Sequence, residues 1–316
     1  MSFQIREPVL IIGLGGLGSK LALGAKESLD AECLLISNDQ RDFPANYNAI
    51  KISTGPVVNP SVQMIRGSAY SAYEEIKEKV SKCATVILMA NLAGKVGSAV
   101  SPIVSRICRD SDIGLMSFVI MPFRYEKDRI FNSGIALKRV KEDSQCTIVL
   151  DNDSLLESNP DLNPKQCFEI GNSAIMHVVK ELDTSEVSSD TNILTTSKSH
   201  DIEESLRDSL KMLYNEAPPN SVKRSMLYVA GGENIPLRIL NSIASLTKNV
   251  SNEEPHVGII SGASEESRVI MLSSVQGMTK FDKYDPLGDI PHENTLDWNE
   301  PDCSINCGLD EIYQLE

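Results

Sequence analysis

An apolar run, Val9-Leu-Ile-Ile12, passes directly into Gly13-Leu-Gly-Gly-Leu-Gly-Ser-Lys20 and then into the helix-like stretch Leu21-Ala-Leu-Gly-Ala-Lys-Glu27. A buried strand feeding a glycine-rich turn at a helix N-terminus aims backbone N–H groups and the positive end of a helix dipole at one point, an arrangement that binds phosphate. This confines the chain to an α/β design. It does not name the nucleotide. Gly13, Gly15 and Gly18 also satisfy the dinucleotide spacing, and Asp39, about 20 residues on, stands where an acid for ribose hydroxyls belongs. A tight strand-to-helix turn without a ligand is the alternative.

The chain has 316 residues, 41% of them hydrophobic, enough for two domains of ordinary size. No run reaches the roughly 20 apolar residues that span a bilayer, and the first residues lack a secretory profile. A cytoplasmic protein without membrane insertion is expected. The seven cysteines are odd in number and scattered, which suits reduced thiols. Cys303 and Cys307 have no second ligand pair, so no metal site is assigned. A net charge of −14 argues against nucleic acid, whose phosphates are bound by concentrated Lys and Arg.

From Val9 to about Leu150, short β-branched runs alternate with helical periodicity, the pattern of a parallel sheet with helices on both faces. Strands are expected at Val9–Ile12, Cys33–Ser37, Ala49–Ile52, Thr85–Ala90, Ile113–Ile120 and Cys146–Asp151. Helices are expected at Gly18–Ser28, Asn59–Lys82 and Gly97–Asp110, with an amphipathic segment at Ile135–Val140. Gln166–Leu182 reads as a long central helix. Residues 183–205, rich in Ser, Thr and Asp, read as a loop. A smaller α/β unit follows, with strands at Ser225–Ala230, His256–Ser261 and Val269–Ser274 and a helix at Pro236–Lys248. The fold class is therefore α/β: a parallel-sheet nucleotide-binding domain (1–165), a central helix (166–182), a smaller α/β domain (183–277) and a mostly disordered acidic tail (278–316). The tail ends in an apolar rhythm, Leu309, Ile312, Tyr313 and Leu315, that suits a docking partner.

The order of these elements resembles the tubulin/FtsZ superfamily over about residues 8–277. Gly13–Ser19 looks like that family's first phosphate loop, and Asn59-Pro60 matches the Asn-Pro closing its third. Pro122-Phe-Arg-Tyr-Glu126 is similar to the stretch whose acid holds the ribose, and Asn152-Asp-Ser-Leu-Leu156 to the loop on the guanine side. Phe168 and Asn172 match the Phe that stacks on the base and the Asn that reads its edge. Tyr228-Val-Ala-Gly-Gly-Glu has the look of the family's strand and Gly-Gly turn.

The sequence also departs from the family pattern. In place of the glycine-rich signature stands Ala93-Gly94-Lys95-Val96-Gly97-Ser98-Ala99, where Lys95 and Val96 take a glycine and a threonine position. Lys95 either serves the phosphates as a point charge or points into solvent. Val57 replaces a third-loop glycine, and Ile130 replaces an arginine near the ribose, with Arg129 one residue early. The family's hydrolytic loop, Asn-x-Asp-x-x-Asp, falls in register with Asn192-Ile-Leu194-Thr-Thr-Ser197, which lacks both acids. Loss of such a group typically costs about 100- to 10,000-fold. Asp190 or Asp201 would substitute only in a shifted register.

The resemblance implies an archaeal or bacterial FtsZ-like cytoskeletal protein, the archaeal reading first. It would bind GTP or GDP, with or without Mg2+, and assemble head-to-tail with itself or a relative, with hydrolysis weak or lost. Its nucleotide residues would be Gly13, Gly15, Gly16, Leu17, Gly18, Ser19 and Lys20 together with Gly94, Lys95, Val96, Gly97 and Ser98 at the phosphates. Glu126 and Arg129 would serve the ribose, and Asn152, Phe168 and Asn172 the base. The alternatives are a scaffold or regulator of the same fold that has lost nucleotide, and an NAD-dependent enzyme using Gly13, Gly15, Gly18 and Asp39.

Overall fold

The computed structural model describes residues 2–45, 47–182, 187–199, 201–230, 256–260 and 268–284. The helix expected at Pro236–Lys248, the apolar tail residues, Cys303 and Cys307 lie outside them.

The strands are β1 Val9–Leu14, β2 Glu32–Ser37, β3 Ala49–Lys51, β4 Thr85–Asn91, β5 Gly114–Met121, β6 Cys146–Asp151, β7 Thr191–Thr196, β8 Val222–Ala230, β9 His256–Ile260 and β10 Arg268–Val275. The helices are α1 Gly15–Leu29, α2 Val62–Ser71, α3 Tyr73–Val80, α4 Lys95–Asp110, α5 Lys127–Asp143, α6 Asn152–Ser158, α7 Pro164–Lys180 and α8 Ile202–Glu216. All ten strands form one sheet in the order β3-β2-β1-β4-β5-β6-β7-β10-β8-β9. The first seven in that order run parallel, and β10 is antiparallel to both β7 and β8. The expected larger and smaller units thus share a sheet through the parallel β6–β7 pair.

The strands β1, β4, β5 and β6 are mainly apolar because both of their faces are covered. Alternate residues of β1 separate to the two sides: Leu10, Ile12 and Leu14 pack with Ile65, Val104 and Leu137 of α2, α4 and α5. Ile11 packs with Leu21, Ile175 and Val178 of α1 and α7. A third cluster, including Ile193, Leu206, Leu213 and Met271, holds α8 to the distal strands. Among the described residues no helix is long and apolar enough to cross a membrane.

Three expectations are corrected. The single helix expected over Asn59–Lys82 is two, because Asn59 takes a positive φ of 94° and Ser61 caps α2, and the chain breaks at Ala72. Buried Val62, Ile65 and Ala69 keep a phase compatible with Ile76 and Val80, so periodicity does not register the break. The loop expected over 183–205 contains β7 and the start of α8. Its polar residues are spent inside the protein: the Thr195 and Thr196 hydroxyls donate to the Met271 and Val269 carbonyls, and Ser197 donates to Asp208. Asp201 caps α8 by accepting from the Glu204 N–H. Finally, the first residues of the expected disordered tail are packed: Lys280–Tyr284 forms a 3-10 turn whose Phe281 joins the core beside α5.

Candidate nucleotide site

The order β3-β2-β1-β4-β5-β6 reverses direction between β1 and β4, and ligands of open α/β sheets bind outside the C-terminal strand ends at such a point. Here α1 follows β1 and α4 follows β4 on opposite faces. The glycine segment is shorter than a loop: β1 ends at Leu14 and α1 begins at Gly15, whose φ of +68° turns the chain. Gly18 lets α1 pack on β4, since a side chain there would meet the Met89 carbonyl. Neither Leu14 nor Gly94 supplies a side-chain cap to the helix that follows, so the N–H groups at both helix starts lack that partner.

What lies against those helix starts is unusual for a phosphate cradle. A β-carbon built on Gly15 would sit 3.3 Å from the Val96 β-carbon, so the valine packs between the two turns. One built on Gly16 would lie 2.7 Å from Asp42 Oδ1, so a carboxylate stands over the first turn of α1. Asp42 also accepts a 2.6 Å hydrogen bond from Ser37. Lys95 is exposed, with its ammonium anchored to the neighbouring loop. Its ammonium donates to Asn59 Oδ1 at 2.6 Å and to the Pro60 carbonyl at 2.8 Å, fastening the Asn-Pro loop to α4. Ser98 turns its hydroxyl back onto the Gly94 and Lys95 carbonyls. Ser19 is buried with its hydroxyl unpartnered; Leu17 is half-buried, and Lys20 is exposed on α1.

At the ends of β5 and β6 the expected ribose and base residues come together. Glu126 accepts from the Phe123 N–H at 3.1 Å and from Arg129 Nη1 at 2.6 Å. Phe123 stacks on exposed Tyr125 with centroids 5.2 Å apart and meets Phe168 edge-on at 5.5 Å. Phe168 sits on α7, whose start is set by an Asn163/Gln166 capping box and Pro164. Asn152, 1% exposed, donates its amide to the Met121 carbonyl at 3.2 Å, which leaves Oδ1 free. That oxygen lies 3.8 Å from where a β-carbon of Gly171 would be. The next residue, Asn172, also has a buried Oδ1 without a partner. Two buried acceptors lacking donors, one on α6 and one on α7 a turn beyond Phe168, suit a planar base that presents N–H groups.

Asn152 is held in place from behind. Asp151 is fully buried and caps α6 through the Asp153 and Ser154 N–H groups. Lys280 donates to Asp151 Oδ2 at 2.9 Å and lies 3.6 Å from Asp153 and 3.7 Å from Glu216. Glu216 hydrogen-bonds Ser154, and burial, with Asp151 beside it, pushes its carboxyl well above the ordinary range. Arg124 pairs with Asp153 and Glu157, tying the Phe123 loop to α6.

Sequence reading missed Asp42 and Lys280. Asp42 was open to discovery, because a residue just past the C-terminal end of β2 adjoins the end of β1 in a parallel sheet. Lys280, 129 residues from Asp151, carries no local signal.

Two other expectations find different places. Asp39 pairs both of its oxygens with Arg41 at the start of the turn after β2, and these hydrogen bonds hold its pKa at about 2. The Asn192–Ser197 register is not a loop. It is β7, with Leu194 fully buried between β6 and β10. Asp190 pairs with Lys223 at 3.3 Å. Among the described residues no group of three or more His, Cys, Asp or Glu is arranged to hold a metal.

The family model described as the Tubulin/FtsZ family, GTPase domain, matches residues 62–160. The cell division protein FtsZ of Mycoplasmopsis pulmonis is 27% identical over 184 residues, covering 55% of this chain and 47% of that protein. FtsZ 2 of Methanocaldococcus jannaschii is 20% identical over 290 residues, covering 81% and 75%. The chain spans about half the length of several of the curated relatives it matches. Among solved structures, an empty FtsZ dimer from M. jannaschii superposes with a TM-score of 0.65 at 18% identity, covering 86% of this chain and 89% of that one. CetZ2 from Haloferax volcanii, a GTPγS-bound protofilament, gives 0.65 at 14% identity, covering 87% and 96%. The family domain matched over residues 62–160, the archaeal FtsZ relatives and the shared fold together support a divergent tubulin/FtsZ superfamily member.

Proposed function

We propose that the chain is a cytoskeletal protein that binds guanine nucleotide at the C-terminal ends of β1, β4, β5 and β6 and turns it over slowly or not at all. The observation that carries this reading is the pair of buried, unpartnered oxygens, Asn152 Oδ1 and Asn172 Oδ1, beside Phe168. Guanine offers adjacent N1–H and N2–H donors on one edge, whereas adenine has an acceptor at N1. Glu126 and Arg129 lie at the ribose, and the starts of α1 and α4 at the phosphates. Gly13, Gly15, Gly16, Gly18, Gly94 and Gly97 belong to that second region.

Weak hydrolysis is supported by the placement of residues 192–196 within the sheet, where they offer no acid to a neighbouring molecule. Head-to-tail assembly is supported by the CetZ2 relative solved as a GTPγS-bound protofilament. A role in division follows the FtsZ relatives, and a cytoplasmic location suits that role. Sedimentation and phosphate release, each followed across protein concentration with GTP, test the reading. Pelleting without concentration-dependent release agrees with it, and release that climbs with concentration contradicts the hydrolytic half.

A second reading, a scaffold that has lost nucleotide, draws on Val96 against Gly15 and the Asp42 carboxylate over Gly16. Under that reading the fold is kept for protein contacts and guanine nucleotides do not bind.

A further inference from the structure

On the side of α4 away from the sheet lies a cationic feature that the nucleotide site does not use. Pro102 stands inside α4 and has no N–H, so the Ser98 carbonyl four residues earlier loses its helical donor. Arg66 of α2 reaches across to that carbonyl, Nη2 to oxygen at 3.5 Å. Its Nε is buried with no hydrogen-bond partner. Arg139, half-buried on α5, which packs along α4, lies near enough that burial and its charge together lower the Arg66 pKa. Among the described residues no carboxylate pairs with either arginine.

Desolvated cations are ordinarily matched by an acid. In a chain of net charge −14, a convergent arginine pair with an open buried donor is an ion pair lacking its anion. We propose that Arg66 and Arg139 form a carboxylate-binding site and that its occupant is the acidic segment 285–300 of the same chain.

Three observations favour this occupant. The described chain leaves at Tyr284, whose backbone oxygen lies 2.8 Å from where a β-carbon of Gly134 would be. Gly134 is on α5, five residues before Arg139, about 7.5 Å along the helix and roughly 140° around it, so the segment has to pass over α5 to reach the arginine. Asp285 and Asp289 follow at once, and five extended residues reach up to about 17 Å. Acids of this end of the chain already meet cations of α5, since Asp282 faces Lys141 at 3.7 Å. Finally, residues 285–316 contain nine acids and neither Lys nor Arg, so guanidinium forks are their natural complement. The proposal does not depend on nucleotide binding.

The single tryptophan, Trp298, lies in this segment and reports on it. The experiment is its fluorescence anisotropy in the full chain at low salt and in 1 M NaCl, where charge screening acts within about 3 Å. The expected result is a high low-salt value, independent of protein concentration. It falls to the high-salt value in Arg66→Gln/Arg139→Gln and equally in Asp285→Asn/Asp289→Asn. The acid-side variant leaves the packed core untouched and decides the matter if the arginine variant does not fold. Anisotropy that the acid-side substitutions do not change overturns the proposal. So does anisotropy that rises with protein concentration, because the segment then engages a second copy.

Discussion

The Lys280 ammonium sits 2.9 Å from Asp151 Oδ2, joining the last described turn of the chain to the residue before Asn152. Asp151 and Glu216 are essentially inaccessible and Asp153 nearly so. Lys280, itself 16% exposed, is the cation at their centre. Removing one partner of a buried ion pair strands the other charge, at a cost of about 3–5 kcal/mol. Lys280→Met is expected to lower unfolding stability by that order in urea titration, and Lys280→Arg by distinctly less. Equal stability of the Met variant and the parent would show that the acids are satisfied without Lys280.

Glu216 makes a pH prediction whose sign follows from linkage. Burial first, then the Asp151 charge, raises its folded pKa, so the folded state holds a proton that the unfolded state releases above about pH 4.3. Its contribution is therefore complete at low pH and declines as pH rises from the ordinary carboxylate value toward the raised folded one. Glu216→Gln, which stays neutral, should remove that decline. Unfolding midpoints of the two proteins should diverge upward from about pH 5 in favour of the Gln variant, and parallel profiles would contradict a protonated Glu216.

Asn172→Leu should move two measurements in opposite directions. The leucine removes a buried oxygen without a partner, so the nucleotide-free protein should be as stable or more stable. Loss of a hydrogen bond to the base should weaken GDP binding by about 10- to 100-fold, the equivalent of ~1.4–2.8 kcal/mol. A variant that binds GDP as tightly as the parent would remove Asn172 from the site.

Asp42→Asn keeps the shape of the side chain and the partner for Ser37 while deleting a negative charge over Gly16. Repulsion between unit charges about 4 Å apart is about 1 kcal/mol in water-like surroundings. The substitution should tighten GTP about fivefold, GMP less, and the gain should shrink in salt. An equal effect on guanosine, which has no phosphate, would place Asp42 elsewhere.

Much of the first six strands was legible because most of them are buried on both faces and carry a mainly apolar centre, as Ile148-Val-Leu150 does in β6. The capped start of α7 was near where Gln166 begins its helical period. The base cluster was found through ordered motifs, since Asn152, Phe168 and Asn172 are adjacent in space but spread over some 20 residues. β7 was not legible. Its threonines read as a loop because their hydroxyls bond Met271 and Val269, partners that are in place only once β10 has paired. That misreading also placed the hydrolytic register on a loop, whereas residues 192–196 lie in a buried strand. The contacts of Lys95 to Asn59 and Pro60 were not legible, because those partners are brought to it by the Asn-Pro turn.

The most direct test of the central claim is calorimetric titration of the full chain with GDP, GTP, ATP and NAD. Micromolar binding of GDP and GTP, with neither ATP nor NAD producing heat, is the result that the two unpartnered asparagine oxygens predict. Absence of binding by both guanine nucleotides would contradict it and leave the superfamily fold serving protein contacts alone.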